Sequence, residues 1–282
     1  MIIATTISEV RAQVAAWKRE GLTVGLVPTM GYLHEGHASL IDTAVKNCDR
    51  TVASVFVNPT QFGPNEDLDT YPRDFNHDCA LLTEHGCDMV FHPEVSEMYD
   101  ADAATFVEIR SDMPKQLCGK TRPIHFRGVC TVVSKLFNIV MPDKAFFGQK
   151  DAQQLAIIKK MVCDMKYGIE IIGCPIIREA DGLARSSRNT YLNPDERKAA
   201  LVLSKAIFKG QEMAAQGERN ADAIVAAMTD MIQAEPLASI DYVAAVDGIT
   251  MMPVSRIEGD TLFAMAVYIG KTRLIDNFSF EG

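Results

Sequence analysis

The chain has no excess of basic charge: 28 Lys and Arg stand against 37 Asp and Glu, a formal net charge of −9 over 282 residues. A nucleic-acid surface needs a basic face to displace phosphate counterions, so that class of partner is excluded. The N-terminus, MIIATTISEV, carries no basic segment ahead of an apolar run and does not read as a signal peptide. No stretch reaches the ~20 apolar residues needed to span a bilayer. The seven cysteines, scattered from Cys48 to Cys174, contain no CxxC pair and no Cys/His ligand spacing. They read as reduced thiols used as small core residues, and no metal site is expected. The expectation is a cytoplasmic protein. Two Gly-Lys-Thr triplets, at 119–121 and 270–272, lack the glycine of a phosphate-binding P-loop, with Pro114 and Met265 in its place. There is no GxGxxG, no internal repeat and no low-complexity tract.

What is present alternates. Leu22–Val27, closed by Pro28, reads as a buried strand, as do Thr51–Val57, Asp88–Phe91 and Lys144–Phe147. Between them, Leu40, Ile41, Ala44, Val45 and Cys48 recur at helical steps, as do Leu155, Ile158, Val162 and Met165. Strands alternating with helices imply a mostly parallel α/β sheet, with ligands beyond the carboxyl ends of the strands. The loops 28–36, 58–63 and 148–151 each follow such a strand and should open onto one crevice. Near Pro175 the pattern changes to polar, alanine-rich helical stretches from Pro194, then strands near Ile240–Val246 and Thr261–Ile269. A domain boundary is expected there, dividing 1–175 from 176–282.

The segment Pro28–Leu40, PTMGYLHEGHASL, puts His34 and His37 three residues apart where a helix begins near Gly36. A helix N-terminus offers free backbone N–H groups and positive partial charge to an anion. Two imidazoles there suit charge building on phosphate oxygens. The alternatives are a metal pair or two incidental surface histidines, and the strand–loop–helix context favours nucleotidyl transfer. Asn58 and Gln61 sit in a turn-rich loop that by itself reads first as solvated surface, the alternative being amides holding a neutral polar group. In FFGQKDAQQ, Gly148, Lys150 and Asp151 mark a strand-to-helix corner, with Gln153 and Gln154 in the first turn expected to face the crevice. Asp151 is either a helix-start carboxylate or a partner for ribose hydroxyls. Arg185, Ser186, Ser187 and Arg188 form either an ordinary exposed loop or a mobile phosphate clamp.

Together, PTMGYLHEGH, FVNPTQF, RPIHFRGV, FFGQKDAQQL, DGLARSSRNTYL and RLIDN resemble the pantothenate synthetase (pantoate–β-alanine ligase) family along nearly the whole chain. The resemblance implies a Rossmann-like nucleotidyltransferase domain with a parallel sheet, plus a smaller α+β C-terminal lid domain, assembled as a homodimer. It implies ATP as substrate, Mg²⁺, and the condensation of (R)-pantoate with β-alanine through pantoyl adenylate, releasing AMP and pyrophosphate. Carried to matching positions, His34, His37, Lys150 and Arg188 are catalytic. Met30, Gly31, Tyr32, Leu33, His34, Glu35, Gly36, His37, Gly148, Gln149, Lys150, Asp151, Ile177, Arg185, Ser186, Ser187 and Arg188 bind ATP. Gln61, Gln154 and Asn58 bind the acyl and amine substrates, and Arg122 and His125 match a flexible wall. Arg185 departs from the family, whose members usually carry an apolar residue there.

Overall fold

The computed structural model describes residues 1–64 and 66–281, so Gly282, the last residue of the expected second domain, lies outside the described residues. Among the described residues, nine strands and ten α-helices follow one another. The order is β1 (Ile2–Ala4), α1 (Ile7–Arg19), β2 (Val24–Thr29), α2 (Glu35–Asn47), β3 (Arg50–Val55), α3 (Phe75–Glu84), β4 (Met89–Phe91), α4 (Val95–Met98), α5 (Cys118–Thr121), α6 (His125–Val140), β5 (Lys144–Gly148), α7 (Ala152–Met165) and β6 (Glu170–Cys174). The remainder is α8 (Pro194–Ala199), α9 (Leu201–Ala215), α10 (Ala221–Gln233), β7 (Ala238–Asp247), β8 (Thr261–Ile269) and β9 (Thr272–Phe280). Among the described residues no helix is long and apolar enough to cross a membrane.

The chain forms two compact units. One comprises Met1–Arg110, Arg122–Gln149 and Ile157–Pro175, and the other Ser111–Thr121, Lys150–Ala156 and Ile176–Gly282. The first unit holds a six-stranded parallel sheet of order β1-β4-β3-β2-β5-β6. Strand order runs one way from β2 through β3 to β4 and the other way from β5 to β6, so the topological switch lies between β2 and β5. Ligands of such sheets collect beyond the carboxyl ends at that point. Three neighbouring strands, β3, β2 and β5, end there at Val55, Thr29 and Gly148. The loops after them begin on one edge, as the strand–helix alternation requires.

Pro28 does not stop β2; it pairs in register with Ser54 inside the strand. Proline removes a ladder donor and is excluded where both neighbours need it. Here β5 pairs with β2 only at Gly25 and Leu26, so the neighbour on that side has already left. β3 ends at Val55 rather than Val57, freeing Phe56 and Val57 to lead into the turn at Pro59–Gln61. The core between sheet and helices gathers Val27, Leu33, Ile41, Val55, Leu82 and Phe146. Cys87 and Cys130 are buried, and burial pushes both thiols up to about 12, which leaves them inert at neutral pH. Cys163 is exposed and departs from the core-filling role.

The second unit carries an antiparallel sheet of order β7-β8-β9. Its apolar face packs with α9 and α10 through Leu203, Ile207, Ile224, Met228, Phe263 and Phe278. β8 is buried along almost its whole length, the pattern of a central strand.

Candidate active site

Behind β2 the chain turns through two left-handed residues, Gly31 (φ 82°) and Tyr32 (φ 51°). A Cβ at Gly31 would lie 2.9 Å from both Asp78 Oδ2 and Val55 Cγ1, so the position needs glycine for space as well as for φ. The turn is held from α3. Asp78, 1% exposed, accepts Tyr32 N–H at 3.0 Å and Leu33 N–H at 2.7 Å. Thr29 Oγ1 accepts Gly31 N–H at 3.2 Å and donates to Ser54 O at 2.6 Å. Desolvation pushes the Asp78 carboxyl above its ordinary range, although both amide donors oppose it.

That clamped turn delivers His34 to the N-cap of α2. His34 Nδ1 accepts Gly36 N–H at 3.1 Å, and His37 Nδ1 accepts His34 N–H at 3.3 Å. The ring centroids are 4.1 Å apart. Since each Nδ1 is an acceptor, the proton of each neutral ring sits on Nε2. The pair therefore consists of two Nε2–H donors at the positive end of a 13-residue helix. That is an arrangement for anionic oxygens. Among the described residues no group of three or more His, Cys, Asp or Glu could hold a metal ion.

The loop after β3 is a 3₁₀ turn, Pro59–Gln61, capped by Asn58. Asn58 is 1% and Gln61 7% exposed, so neither belongs to a solvated loop. Asn58 Nδ2 donates to Gln61 Oε1 at 3.0 Å, and Gln61 Nε2 donates to Met30 Sδ at 3.1 Å. The turn rests on α6: His125 Nδ1 lies 3.0 Å from Gln61 O, and a Cβ at Gly128 would stand 2.5 Å from Gln61 Cα and from Thr60 O. Gly128→Ala is thus expected to cost about 1–3 kcal/mol by overpacking. Urea unfolding tests this, and an unshifted midpoint would mean that the turn yields freely. Arg122 is ion-paired with Glu66. Burial alone would raise the Glu66 carboxyl, but the guanidinium outweighs it and holds it below its usual range. Arg122 and His125 are thus bonded to Glu66 and to Gln61 within the first unit.

In the second unit, Lys150 and Asp151 occupy a 3₁₀ turn ahead of α7, and Asn277 Nδ2 donates to Lys150 O at 2.8 Å. Lys150, Ser186, Asn189 and Asp276 line one small pocket. Ser186 caps the turn Ser187–Tyr191 by accepting Arg188 N–H at 3.3 Å. Arg185, whose N–H donates to Ile177 O at 2.9 Å, is ion-paired with Glu179 at 3.3 Å. Glu179 also accepts Asn189 and Arg197, each at 2.8 Å. Burial would raise the Glu179 carboxyl; these partners keep it low. The charge of Arg185 is therefore met locally.

Gln154 is half-buried, but Gln153 does not face a crevice. It is 6% exposed and pins residues 113–118, accepting Cys118 N–H at 3.0 Å and donating to Met113 O at 3.2 Å and Gln116 O at 2.7 Å. The candidate residues thus fall in two sets. Residues 30–37, Asn58, Gln61, Gly148 and Gln149 belong to the first unit, and Lys150, Asp151, Gln154, Ile177 and 185–188 to the second. Asp78, Glu179 and Gly128 were missed, because each acts through a contact that no local pattern marks.

A parallel sheet with a switch point, and a strand–turn–helix that presents two imidazoles at its carboxyl edge, define an α/β enzyme with a Rossmann-like nucleotidyltransferase domain. The chain belongs to the pantoate–β-alanine ligase family, whose model matches residues 2–279. It is 56% identical over 281 residues to a pantothenate synthetase of Clostridium acetobutylicum, covering 100% of both chains. It is 58% identical over 275 residues to that of Ruminiclostridium cellulolyticum, covering 98% and 97%. Among solved structures, pantothenate synthetase from Thermus thermophilus superposes with a TM-score of 0.93 at 44% identity, covering 99% of each chain. The Francisella tularensis pantoate–β-alanine ligase, complexed with β-γ ATP and β-alanine, gives 0.82 at 33% identity over 99% and 97%.

Proposed function

We propose that this enzyme joins pantoate to β-alanine at the expense of ATP, through an enzyme-bound pantoyl adenylate, with release of AMP and pyrophosphate. Family membership supports the ligation and the use of ATP. The observation that carries the adenylate is the pair of Nε2–H imidazoles at the start of α2. A carboxylate is inert to an amine because oxide is its leaving group. A pantoate carboxylate oxygen attacks the α-phosphorus, and the bond to pyrophosphate breaks. The amine of β-alanine then attacks the acyl carbon, AMP departs, and the nitrogen loses its proton.

In this reading His34 and His37 donate to the phosphate oxygens as charge builds there. Lys150 and Arg188 act on the polyphosphate. Residues 30–37 with Gly148, Gln149, Asp151, Ile177, Arg185, Ser186 and Ser187 hold the rest of ATP, Asp151 on the ribose. Gln61 and Gln154 hold pantoate, with Asn58 beside Gln61. Residues 1–175 form the ATP- and pantoate-binding domain and 176–282 the lid that keeps water from the anhydride. Mg²⁺ enters with the nucleotide, held mainly by its phosphates and water. The working assembly is a cytoplasmic homodimer.

Product analysis is the test. AMP and pyrophosphate are expected in equal amounts, and labelled pyrophosphate should exchange into ATP with pantoate present and β-alanine absent. ADP and orthophosphate as primary products would remove the adenylate. An exchange that required β-alanine would reverse the order of steps.

A further inference from the structure

The buried amides around Gln61 form a one-way chain. Asn58 Nδ2 has two hydrogens, and both are spent, on Gln61 Oε1 at 3.0 Å and Gly128 O at 3.2 Å. Its Oδ1 accepts Tyr99 Oη–H at 2.8 Å, Thr60 Oγ1–H at 3.0 Å and Thr60 N–H at 3.4 Å. The Asn58 amide cannot rotate without setting its oxygen against Gly128 O and its NH₂ against Thr60 N–H, and in the orientation so fixed its Oδ1 takes the Tyr99 hydroxyl proton. Its orientation dictates that of Gln61, whose Oε1 already takes a donor and whose Nε2 is the end left for a ligand. Gln61 Nε2 meets Met30 Sδ, a weak acceptor that any carboxylate or hydroxyl oxygen outcompetes.

We propose that Tyr99 is a positioning residue for the acyl substrate: through Asn58 it polarises Gln61, so that this position reads a hydrogen-bond acceptor, such as the oxygen of an anionic hydroxy acid, and discriminates against a donor. The inference rests on the assignment of Gln61 to the pantoate site. Burial pushes the Tyr99 phenol up, which keeps its hydroxyl a donor throughout the working range. Lys135 Nζ, 4.9 Å above the ring, holds the phenol in place from the helix that carries Gly128. Asn58, with every polar valence used, acts on substrate through Gln61. A glutamine with free choice of rotamer would accept or donate equally and would specify neither.

The test is a double-mutant cycle on the intact enzyme with Tyr99→Phe, Gln61→Ala and the pair together. Tyr99→Phe is expected to raise the KM for pantoate about fivefold to tenfold, the scale for one hydrogen bond in a buried network. The KM for ATP and kcat should stay within about twofold. Gln61→Ala should raise the pantoate KM further, and adding Tyr99→Phe to it should change nothing more, because the relay has lost its end. Thr60→Val removes another donor to the same Oδ1 and serves in the same cycle should Tyr99→Phe fold poorly. Equal rises in both backgrounds would show a merely structural tyrosine and overturn the proposal. An unchanged pantoate KM in Tyr99→Phe, with Gln61→Ala impaired, would overturn it too. If Gln61→Ala itself spares pantoate, the assignment of Gln61 to that substrate fails instead.

Discussion

His37→Ala is expected to lower kcat by about 10²–10³-fold, the range for deleting one pre-aligned donor to a developing oxyanion, and far more than it weakens pantoate binding. The two rings cap one another's backbone through Nδ1, which commits both Nε2 atoms to donation without any change of tautomer during the reaction. Alanine also abolishes the acceptor for His34 N–H, and losing such a cap costs about 0.5–2 kcal/mol of stability. His37→Asn separates the two effects. Its side-chain oxygen stands near the place of Nδ1 and can restore the cap, but nothing reaches the place of Nε2. Thermal unfolding should therefore recover in Asn while kcat does not. A kcat untouched in both variants would make His37 a structural cap and nothing else.

Asp78→Ala should be the most damaging change outside the histidine pair. It strands two amide N–H groups, those of Tyr32 and Leu33, at a site where the carboxylate is 1% exposed. At about 1–3 kcal/mol for each unsatisfied group, the loss is about 2–6 kcal/mol. Activity should fall with it, because this carboxyl group is the clamp that fixes the left-handed turn at Gly31 and Tyr32 to α3. Asp78→Asn is informative in a different way: it offers one acceptor where two are needed and turns an NH₂ toward the second amide. It should therefore fall between wild type and alanine. Urea unfolding with parallel kcat measurement decides, and wild-type stability in the asparagine variant would show that the turn holds without both bonds.

The parts of this molecule legible in its sequence are those that local chemistry writes down. The strand–turn–helix of His34 and His37 and the α/β alternation were of that kind, since each depends on residues within a few positions. The loop of Asn58 and Gln61 was ambiguous for the same reason: turn formers look alike whether solvated or packed on a glycine of a distant helix. Asp78 lies 45 residues beyond Leu33, and Tyr99 is 41 beyond Asn58. Nothing near either residue announces the contact. Gln153 and Gln154 are adjacent and chemically identical, and only the packing of α7 sends the first inward as a strut. Pro28 misled because its cost depends on whether the neighbouring strand is still present, which is a property of the sheet and not of the segment.

For engineering of acyl specificity, the seat of Gln61 on Gly128 divides this neighbourhood into a part that cannot be varied and a part that can. Libraries that randomise position 128 will return mostly chains with a displaced turn, since not even a methyl group fits there. Met30 is the opposite case. It touches Gln61 Nε2, the end proposed to meet the acyl substrate, through a flexible, unbranched side chain, so shorter or branched replacements change the room at that end without moving the backbone that aims it. Selection for altered hydroxy acids should therefore enrich changes at 30 and leave 128 as glycine.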